Sequence, residues 1–227
     1  MLPVIAEDLH HAYGEGALRS EILHGISFSV NPGEITLLVG PSGSGKSTLL
    51  TLVGALRSVQ EGSLQVLGSE VRRSSERSRV EIRRRIGFIF QSHNLVASLT
   101  SLQNVALVLQ LSEPDPQRRL HRATALLEAV GLGQRLHHYP SELSGGQRQR
   151  VAIARALAPE PDLVLADEPT ASLDSSSGQE VVALLGALCR KRGSSVLLVT
   201  HDLRLLDDAD RIWAIEDGRV NPWKGSP

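Results

Sequence analysis

The sequence has little of three things that would assign a chain to a well-defined class: cysteine, net charge and long apolar runs. It holds one cysteine, Cys189, so a disulfide within the chain is excluded, and its apolar neighbours predict a buried, unreactive thiol. The 24 Lys and Arg residues nearly balance the 25 Asp and Glu residues, which excludes a general electrostatic attraction to nucleic acid or an anionic membrane. Every apolar run is shorter than the ~20 residues that a membrane-spanning helix requires.

Two further absences bear on location and organisation. Residues 1–8 lack a basic segment followed by an apolar one, so we expect no signal peptide and a cytoplasmic protein. No internal repeat or low-complexity linker is visible. With 227 residues and 41% hydrophobic content, the chain can bury a full core as one large domain or as a domain with a satellite.

Short apolar runs alternate with amphipathic segments, a pattern typical of an α/β fold. The runs predict strands at Val4–Ala6, Ile26–Val30, Ile35–Val39, Leu64–Leu67, Ile86–Phe90, Leu163–Ala166 and Val196–Thr200. The amphipathic segments predict helices at Lys46–Leu56, Ser101–Leu111, Gln117–Val130, Gly145–Leu157 and Ser176–Lys191. The last two strand runs are almost wholly apolar, as in strands buried on both faces of a parallel sheet. Only helical patterns occur between residues 90 and 163, which predicts a helical subdomain inserted in the α/β core.

A glycine-rich loop follows the predicted strand Ile35–Val39 and leads into the predicted helix after it. It consists of Gly40, Pro41, Ser42, Gly43, Ser44, Gly45, Lys46, Ser47 and Thr48. The glycines let consecutive backbone N–H groups point at phosphate oxygens, assisted by the helix N-terminus. Lys46 supplies a positive charge to the β- and γ-phosphates, and the Ser47 hydroxyl is placed to bind Mg²⁺. This order of elements predicts a nucleotide site, and an ordinary glycine turn is a remote alternative.

An acidic pair closes the predicted strand Leu163–Ala166. From this position the Asp167 carboxylate can hold the water shell of a metal ion, and Glu168 can polarise an attacking water. Two solvated acids would be the ordinary interpretation of an isolated Asp-Glu pair. Accompanied by a phosphate-binding loop, the pair predicts metal-assisted chemistry on the bound nucleotide.

A second glycine motif lies between the loop and the acidic pair. Ser144, Gly145, Gly146 and Gln147 place a hydroxyl and two small residues at the start of a predicted helix. Such a start can approach a phosphate closely, because no side chain obstructs it and the helix dipole is positive there. By itself, however, the motif is better explained as a plain helix cap.

In this order, the motifs resemble the ATP-binding subunits of ABC transporters over nearly the whole chain, from about Tyr13 to about Val220. The resemblance implies an α/β fold in one nucleotide-binding domain, residues 1–227, with ATP as substrate and Mg²⁺ as cofactor. This fold has a P-loop NTPase (RecA-like) core, an antiparallel β subdomain and an inserted α-helical subdomain. The core and the β subdomain are expected at about 1–90 and 160–220, and the helical subdomain at about 91–159.

The resemblance also assigns roles to single residues. Tyr13 is similar to the aromatic residue that stacks on adenine, with an ordinary turn tyrosine as the alternative. Gln91 is similar to the glutamine that senses the metal, and His201 to the histidine that touches the γ-phosphate. Asp174 resembles the aspartate that approaches the phosphate loop of the opposite subunit. Catalysis is thereby assigned to Lys46, Gln91, Glu168 and His201, and metal binding to Ser47, Gln91 and Asp167.

In the family, two copies meet head to tail, and each ATP lies between the glycine-rich loop of one subunit and Ser144–Gly146 of the other. The resemblance therefore implies a homodimer of ATP-binding subunits and no nucleic-acid partner. Because no run is long enough to span a membrane, the pore must belong to a separate integral membrane permease. The expected location is the cytoplasmic, inner face of the plasma membrane, as a peripheral subunit.

Within the family, residues 40–50, 90–95 and 166–170 are most similar to the MacB and LolD branch, which powers export of lipids, lipoproteins, peptides or macrolides. Residues 16–19 and 56–64 are similar to DevA-type subunits, which implies a DevC-like permease and a periplasmic adaptor for glycolipid export. Ala171-Ser172 departs from the usual Gly-Asn or Ala-Ala. An FtsE-like regulatory ATPase, which signals to a membrane partner without transport, is the alternative, and the motifs do not separate the two.

A basic segment at residues 72–85 holds seven arginines interleaved with Glu76 and Glu81. A solvated helix with salt bridges along its surface is the favoured interpretation. A surface for lipid or nucleic acid is the alternative.

Overall fold

The structure, a computed structural model, describes residues 1–225, which form ten strands and six α-helices. The strands are β1 Val4–Tyr13, β2 Ser20–Val30, β3 Ile35–Val39, β4 Glu61–Val66, β5 Ser69–Glu70, β6 Ile86–Ile89, β7 Leu163–Asp167, β8 Ser195–Thr200, β9 Arg211–Glu216 and β10 Arg219–Pro222. The helices are α1 Lys46–Val53, α2 Glu76–Arg84, α3 Ser101–Leu109, α4 Pro116–Ala129, α5 Gly145–Leu157 and α6 Ser175–Arg192. Every helix in this part of the chain is too short or too polar to cross a bilayer.

The strands form two sheets. The smaller sheet is antiparallel, with the order β2-β1-β4-β5. The larger sheet has the order β10-β9-β3-β8-β7-β6, in which all neighbours run parallel except β10 and β9. The fold is therefore mixed α/β, with a parallel core sheet and a separate antiparallel sheet.

The central strands of the larger sheet are buried on both faces, as their continuous apolar runs predict. Leu38 and Leu197 belong to one hydrophobic cluster, which includes residues of the antiparallel sheet and of α1. Leu37 and Leu198, one position along each strand, belong to a second cluster with residues of α5 and α6. Alternate side chains thus attach the parallel sheet to layers on both sides.

Three helices, α3, α4 and α5, fill the sequence between β6 and β7. Their apolar faces meet in one cluster that contains Val105, Leu127 and Ile153, each fully buried. Each helix begins at a residue whose side chain accepts a backbone N–H, namely Thr100, Asp115 and Ser144. Burial of the apolar faces and capping of the free N–H groups together explain why these segments are helical.

The predicted strands and helices are all present, and the majority of their ends differ from the prediction by no more than a few residues. β1 and β2 extend well beyond the predicted runs, because polar positions along them face solvent while backbone pairing continues. β5, β9 and β10 were missed: β5 has two residues, and most residues of β9 and β10 are partly or fully exposed. Strands with so little burial carry a weak hydrophobic pattern.

The basic segment forms helix α2, and the prediction of a solvated, salt-bridged helix is confirmed. Arg79 and Arg83 pair with Glu76, and Arg84 pairs with Glu81. Ile82 is the buried residue that attaches the helix to the rest of the molecule. Three of the seven arginines of the segment are therefore paired with the two glutamates of the same helix.

Cys189 lies on α6 and is fully buried, and burial raises the pKa of its thiol to about 12. Because the thiolate is the reactive form, we expect a thiol-specific reagent to leave the folded chain unlabelled at pH 7.5 and to label it fully in denaturant. The test is mass spectrometry after timed exposure to the reagent. Rapid labelling of the folded chain would contradict this packing of α6.

Candidate functional site

The candidate site lies where three neighbouring strands of the parallel sheet end. β3 leads into the glycine-rich loop, β7 ends at Asp167 and β8 ends at Thr200. β8 lies between the other two, with Thr200 paired to Val39 and Val199 paired to Asp167. Residues distant in the sequence therefore meet at one carboxyl edge of the sheet, the usual place for ligands in such folds.

The glycine-rich loop is shaped by close backbone approach and by positive φ angles. A Cβ on Gly40 would lie 2.1 Å from the carbonyl oxygen of Ile215, so a side chain cannot fit. Gly45, just before α1, has a φ of +101°, in the left-handed region that glycine adopts without strain. The loop therefore turns tightly into the first turn of α1, whose free N–H groups favour anions.

Lys46 begins α1, and its side chain is only 6% exposed. Its Nζ donates hydrogen bonds to the carbonyl oxygens of Gly40 at 2.7 Å and Pro41 at 2.8 Å. The same Nζ lies 3.8 Å from Oε1 of Glu168. The ammonium group is thus held inside the curve of the loop and next to the acidic pair.

Ser47 and Asp167 converge although they are distant in the sequence. The Ser47 hydroxyl donates a 3.0 Å hydrogen bond to Oδ1 of Asp167. Two neighbouring oxygen donors, one of them a carboxylate, are the ligand type that Mg²⁺ prefers. These residues therefore fit a magnesium ion. Gln91, whose amide offers a further oxygen, lines one cavity together with Ser47.

Burial raises the pKa of Asp167, the negative charge of Glu168 adds to the rise, and the Ser47 hydrogen bond and Lys46 oppose it. An acid whose pKa is raised by folding stabilises the folded state fully at pH values below its ordinary pKa of 3.8. This stabilisation is lost as the pH rises through the pKa of the folded state. We therefore expect Asp167→Asn to raise the thermal unfolding midpoint of the nucleotide-free protein at pH 7, by an amount that shrinks towards pH 4. The matched control is the exposed Asp207→Asn, and a lower midpoint for Asp167→Asn at pH 7 would count against this account.

Glu168 follows Asp167 and is held from three sides. Its Oε2 accepts hydrogen bonds from Thr200 Oγ1 at 3.1 Å and from the backbone N–H of His201 at 3.3 Å. Its Oε1 is 3.0 Å from Nδ1 of His201 and faces Lys46. The φ of Glu168 is +46°, an uncommon conformation for a residue with a side chain, and such strain concentrates at functional sites.

These groups border one cavity of about 390 Å³. It is lined by Tyr13, Ile22, Ser42, Gly43, Gly45, Lys46, Ser47, Thr48, Gln91, Glu168 and His201. The cavity thus brings together most residues of the predicted loop, the predicted aromatic residue Tyr13 and all four predicted catalytic residues, Lys46, Gln91, Glu168 and His201. The Tyr13 hydroxyl lies 3.3 Å from Oγ1 of Thr48, which connects the end of β1 to the loop.

The remaining predicted site residues lie outside this cavity lining. Ser144 caps α5: its hydroxyl accepts the backbone N–H of Gln147 at 3.2 Å, and the Gln147 side chain accepts the N–H of Ser144 at 3.0 Å. Gly145 packs on the segment before Asp174, since a Cβ there would lie 3.3 Å from the carbonyl oxygen of Ser172. The second glycine motif and the segment that precedes Asp174 therefore form a neighbouring surface of their own.

Asp174 caps α6 by accepting hydrogen bonds from Ser176 and Ser177. These bonds, the backbone N–H of Ser177 first among them, hold the pKa of Asp174 far below its ordinary value. The carboxylate is therefore ionised throughout the physiological range. Its own chain already supplies its hydrogen-bond donors, so within one copy it has a structural role.

Two residues of the site were missed by the sequence interpretation. Thr200 is fully buried and binds the carboxylate of Glu168, and Ile22 of β2 lines the cavity. A polar residue at the end of an otherwise apolar strand was the available signal for Thr200. Ile22 could not be found, because its place depends on how the antiparallel sheet packs over the loop.

Comparisons with known proteins give consistent findings. A family model described as ABC transporter matches residues 23–171. The chain is 47% identical over 214 residues to an uncharacterised ABC transporter ATP-binding protein of Thermotoga maritima, covering 94% of this chain and 91% of that protein.

Two solved structures extend the likeness to the fold. The ATP-binding cassette MJ0796, in a dimeric post-hydrolysis state bound to ADP and Pi, matches with a TM-score of 0.88 and 36% identity, over 98% of this chain and 100% of that chain. The protein cbiO1 from Clostridium perfringens, part of the ABC transporter complex cbiONQ, matches with a TM-score of 0.87 and 26% identity, over 97% of this chain and 87% of that chain. The predicted fold class is confirmed.

Proposed function

Because the chain belongs to the ABC transporter ATP-binding family and is an ATPase cassette, we propose that it hydrolyses ATP to drive a separate membrane permease for export. The observation that carries the proposal is the convergence of Lys46, Glu168 and His201 at the edge of the parallel sheet, with Ser47 and Asp167 beside them. This arrangement provides a cation for phosphate, oxygen ligands for a metal and a carboxylate to polarise water.

The residues around the cavity have separate roles in binding and hydrolysing ATP. The loop 40–48 wraps the phosphates with its backbone N–H groups, while Tyr13 stacks on adenine. Lys46 and His201 neutralise charge that develops on the γ-phosphate, and Glu168 orients the attacking water. Ser47, Gln91 and Asp167 would hold Mg²⁺, which would supply positive charge to the phosphates.

Glu168 is prepared for its role by its neighbours. Thr200 and the N–H of His201 occupy one carboxylate oxygen, so the orientation of the group is fixed before water arrives. The other oxygen faces the ring of His201 and the ammonium of Lys46. A positioned base of this kind lowers the barrier without reorganisation during the reaction.

The site becomes complete, in this proposal, only when a second copy contributes Ser144, Gly145, Gly146, Gln147 and Asp174. ABC cassettes act as dimers, and the MJ0796 likeness is to a dimer that holds ADP and Pi. The location of Ser144 at the start of α5, on a surface beside the segment that precedes Asp174, supports a role towards a partner. A segment at about 91–159 serves as the helical subdomain that carries Ser144–Gln147 to the other copy. ATP then favours the closed pair because it contacts both subunits only there.

The finer proposal places the chain in the MacB and LolD branch, most like the DevA-type exporters. It is supported by the similarity of residues 16–19 and 56–64 to those subunits. The protein would then lie at the inner face of the plasma membrane, bound to a DevC-like permease that works with a periplasmic adaptor. The cargo would be a lipid, a glycolipid or a similar amphiphile.

The test is capture of the tagged chain from detergent-solubilised membranes of its native cells, followed by identification of the copurifying proteins. We expect a permease with several membrane spans together with a periplasmic adaptor. Recovery of a cell-wall enzyme and its membrane regulator, without an adaptor, would overturn the export proposal and favour an FtsE-like signalling role. A purified complex that accelerates lipid release from vesicles only with ATP would support export directly.

A further inference from the structure

The segment between α1 and β4, residues 54–60, packs against the end of β1 where Tyr13 lies. We call this segment the connector. It begins directly after the helix that follows the glycine-rich loop, and it contains Arg57 and Gln60, both exposed residues. The part of the sequence that resembles DevA-type subunits thus lies beside the proposed adenine platform.

Gln60 fixes the backbone just before Tyr13. Its Oε1 accepts the N–H of Ala12 at 2.8 Å, and its Nε2 donates to the carbonyl oxygen of Ala12 at 2.9 Å. The pairing of β1 with β2 shifts register between His11 and Ala12, so the strand is irregular at this point. A side-chain amide therefore supplies both hydrogen bonds that a neighbouring strand would otherwise provide.

Arg57 covers one face of the Tyr13 ring. Its guanidinium carbon lies 5.0 Å from the ring centroid, within the range of a cation–π interaction. The His11 ring meets the tyrosine at 84° with centroids 5.0 Å apart, and the Tyr13 hydroxyl reaches Thr48. Three contacts therefore hold the tyrosine: Arg57 lies over its ring, the His11 ring packs against it edge to face, and Thr48 lies within hydrogen-bond distance of its hydroxyl.

The charges around the ring agree with this arrangement. Burial, and then the positive charge of Arg57, lower the pKa of His11, so its imidazole is neutral and does not repel the guanidinium. Among residues 1–225, no carboxylate lies within ion-pair distance of Arg57. The cation therefore remains available to the aromatic face.

We infer that Arg57 is a positioning residue for the nucleotide base, which it orders indirectly by holding and polarising the Tyr13 ring from the face opposite the bound base. Tyr13 lines the cavity and Arg57 does not. In this inference the guanidinium takes one face of the ring and leaves the other face to the base. A cation on one face draws π-electron density towards itself, which reduces the negative charge that a stacked base meets on the other face.

The inference rests on the proposed ATP site and adds a prediction about how binding energy is divided. Arg57 acts on the base and not on the phosphates, so its loss weakens ground-state and transition-state binding equally. A variant that lacks Arg57 should therefore have a higher KM for ATP and an unchanged kcat.

The experiment measures binding of ADP and of inorganic pyrophosphate to the purified chain by calorimetry, with Mg²⁺ present. For Arg57→Ala we expect ADP to bind about fivefold more weakly, the equivalent of about 1 kcal/mol of cation–π energy, with pyrophosphate affinity unchanged. Arg57→Lys should recover part of the loss, because it retains a cation. Arg77→Ala, which removes an exposed arginine on α2, is the matched control.

A double-variant cycle separates an indirect role from a direct contact. In the Tyr13→Ala background, Arg57→Ala should cause no further loss of ADP affinity. A further fivefold loss in that background, an equal loss for pyrophosphate, or unchanged ADP binding by Arg57→Ala would each overturn the inference.

Gln60→Ala removes both hydrogen bonds to the backbone of Ala12. It should likewise weaken the binding of ADP and leave the binding of pyrophosphate unchanged. If the unmodified chain bound neither ATP nor ADP, the proposed function itself would fail.

Discussion

Replacing Glu168 with glutamine is expected to slow ATP turnover by roughly 10²–10⁴-fold while nucleotide binding persists. Glutamine has the same shape, and its carbonyl oxygen can still accept the hydrogen bonds of Thr200 and the His201 N–H. It lacks the negative charge that polarises water and accepts a proton. The chemical step should therefore fail while the binding surface around Lys46 stays in place.

The measurement is phosphate release under saturating ATP, together with calorimetric binding of ATP to the same preparation. Glu128→Gln, which changes an exposed residue on α4, is the matched control and should keep full activity. Near-normal hydrolysis by Glu168→Gln would refute the role of Glu168. Loss of both binding and turnover would instead indicate that the carboxylate supports the loop.

Replacing Lys46 with alanine is expected to weaken nucleotide binding by roughly one to two orders of magnitude, the equivalent of one charged hydrogen bond of about 1.5–3 kcal/mol. The ammonium group is nearly buried and is fixed by Gly40 and Pro41, so its position is set by the loop itself. A preorganised cation contributes more than one on a mobile side chain, because little side-chain entropy is lost on binding. Hydrolysis should fall with binding.

Binding of a fluorescent ADP analogue to Lys46→Ala gives the affinity, and Lys191→Ala on the exposed side of α6 is the control. Because removal of Lys46 also leaves Glu168 without its cation, thermal unfolding should be followed in parallel. A folded Lys46→Ala variant with unchanged affinity would contradict the assignment of the loop.

The local parts of the site could be predicted from sequence because each depends on neighbouring residues. The strand, glycine loop and helix around Lys46 form a continuous segment, and burial of β7 follows from its apolar run up to Asp167. Ser144 is recognisable as a helix cap from its position before α5. These features require no knowledge of which strands are neighbours.

The contacts of Glu168 with His201 and of Tyr13 with Arg57 could not be predicted in the same way. The first requires β7 and β8 to be adjacent, and strand order is not encoded in any single segment. The second requires the connector to lie beside the end of β1, and no local pattern in either segment indicates that they are neighbours. Resemblance to a family supplied the role of Tyr13, whereas only the structure identified Arg57 and Gln60 as its supports.

The central claim is that two copies enclose each ATP, with Ser144–Gly146 of one facing the loop of the other. Light scattering of Glu168→Gln with ATP tests it most directly. We predict twice the chain mass of 24.5 kDa with ATP, the single-chain mass with ADP, and no ATP-dependent dimer after Ser144→Arg is added. A single-chain mass with ATP at every concentration, in a sample whose unmodified counterpart hydrolyses ATP at full rate, would contradict the claim.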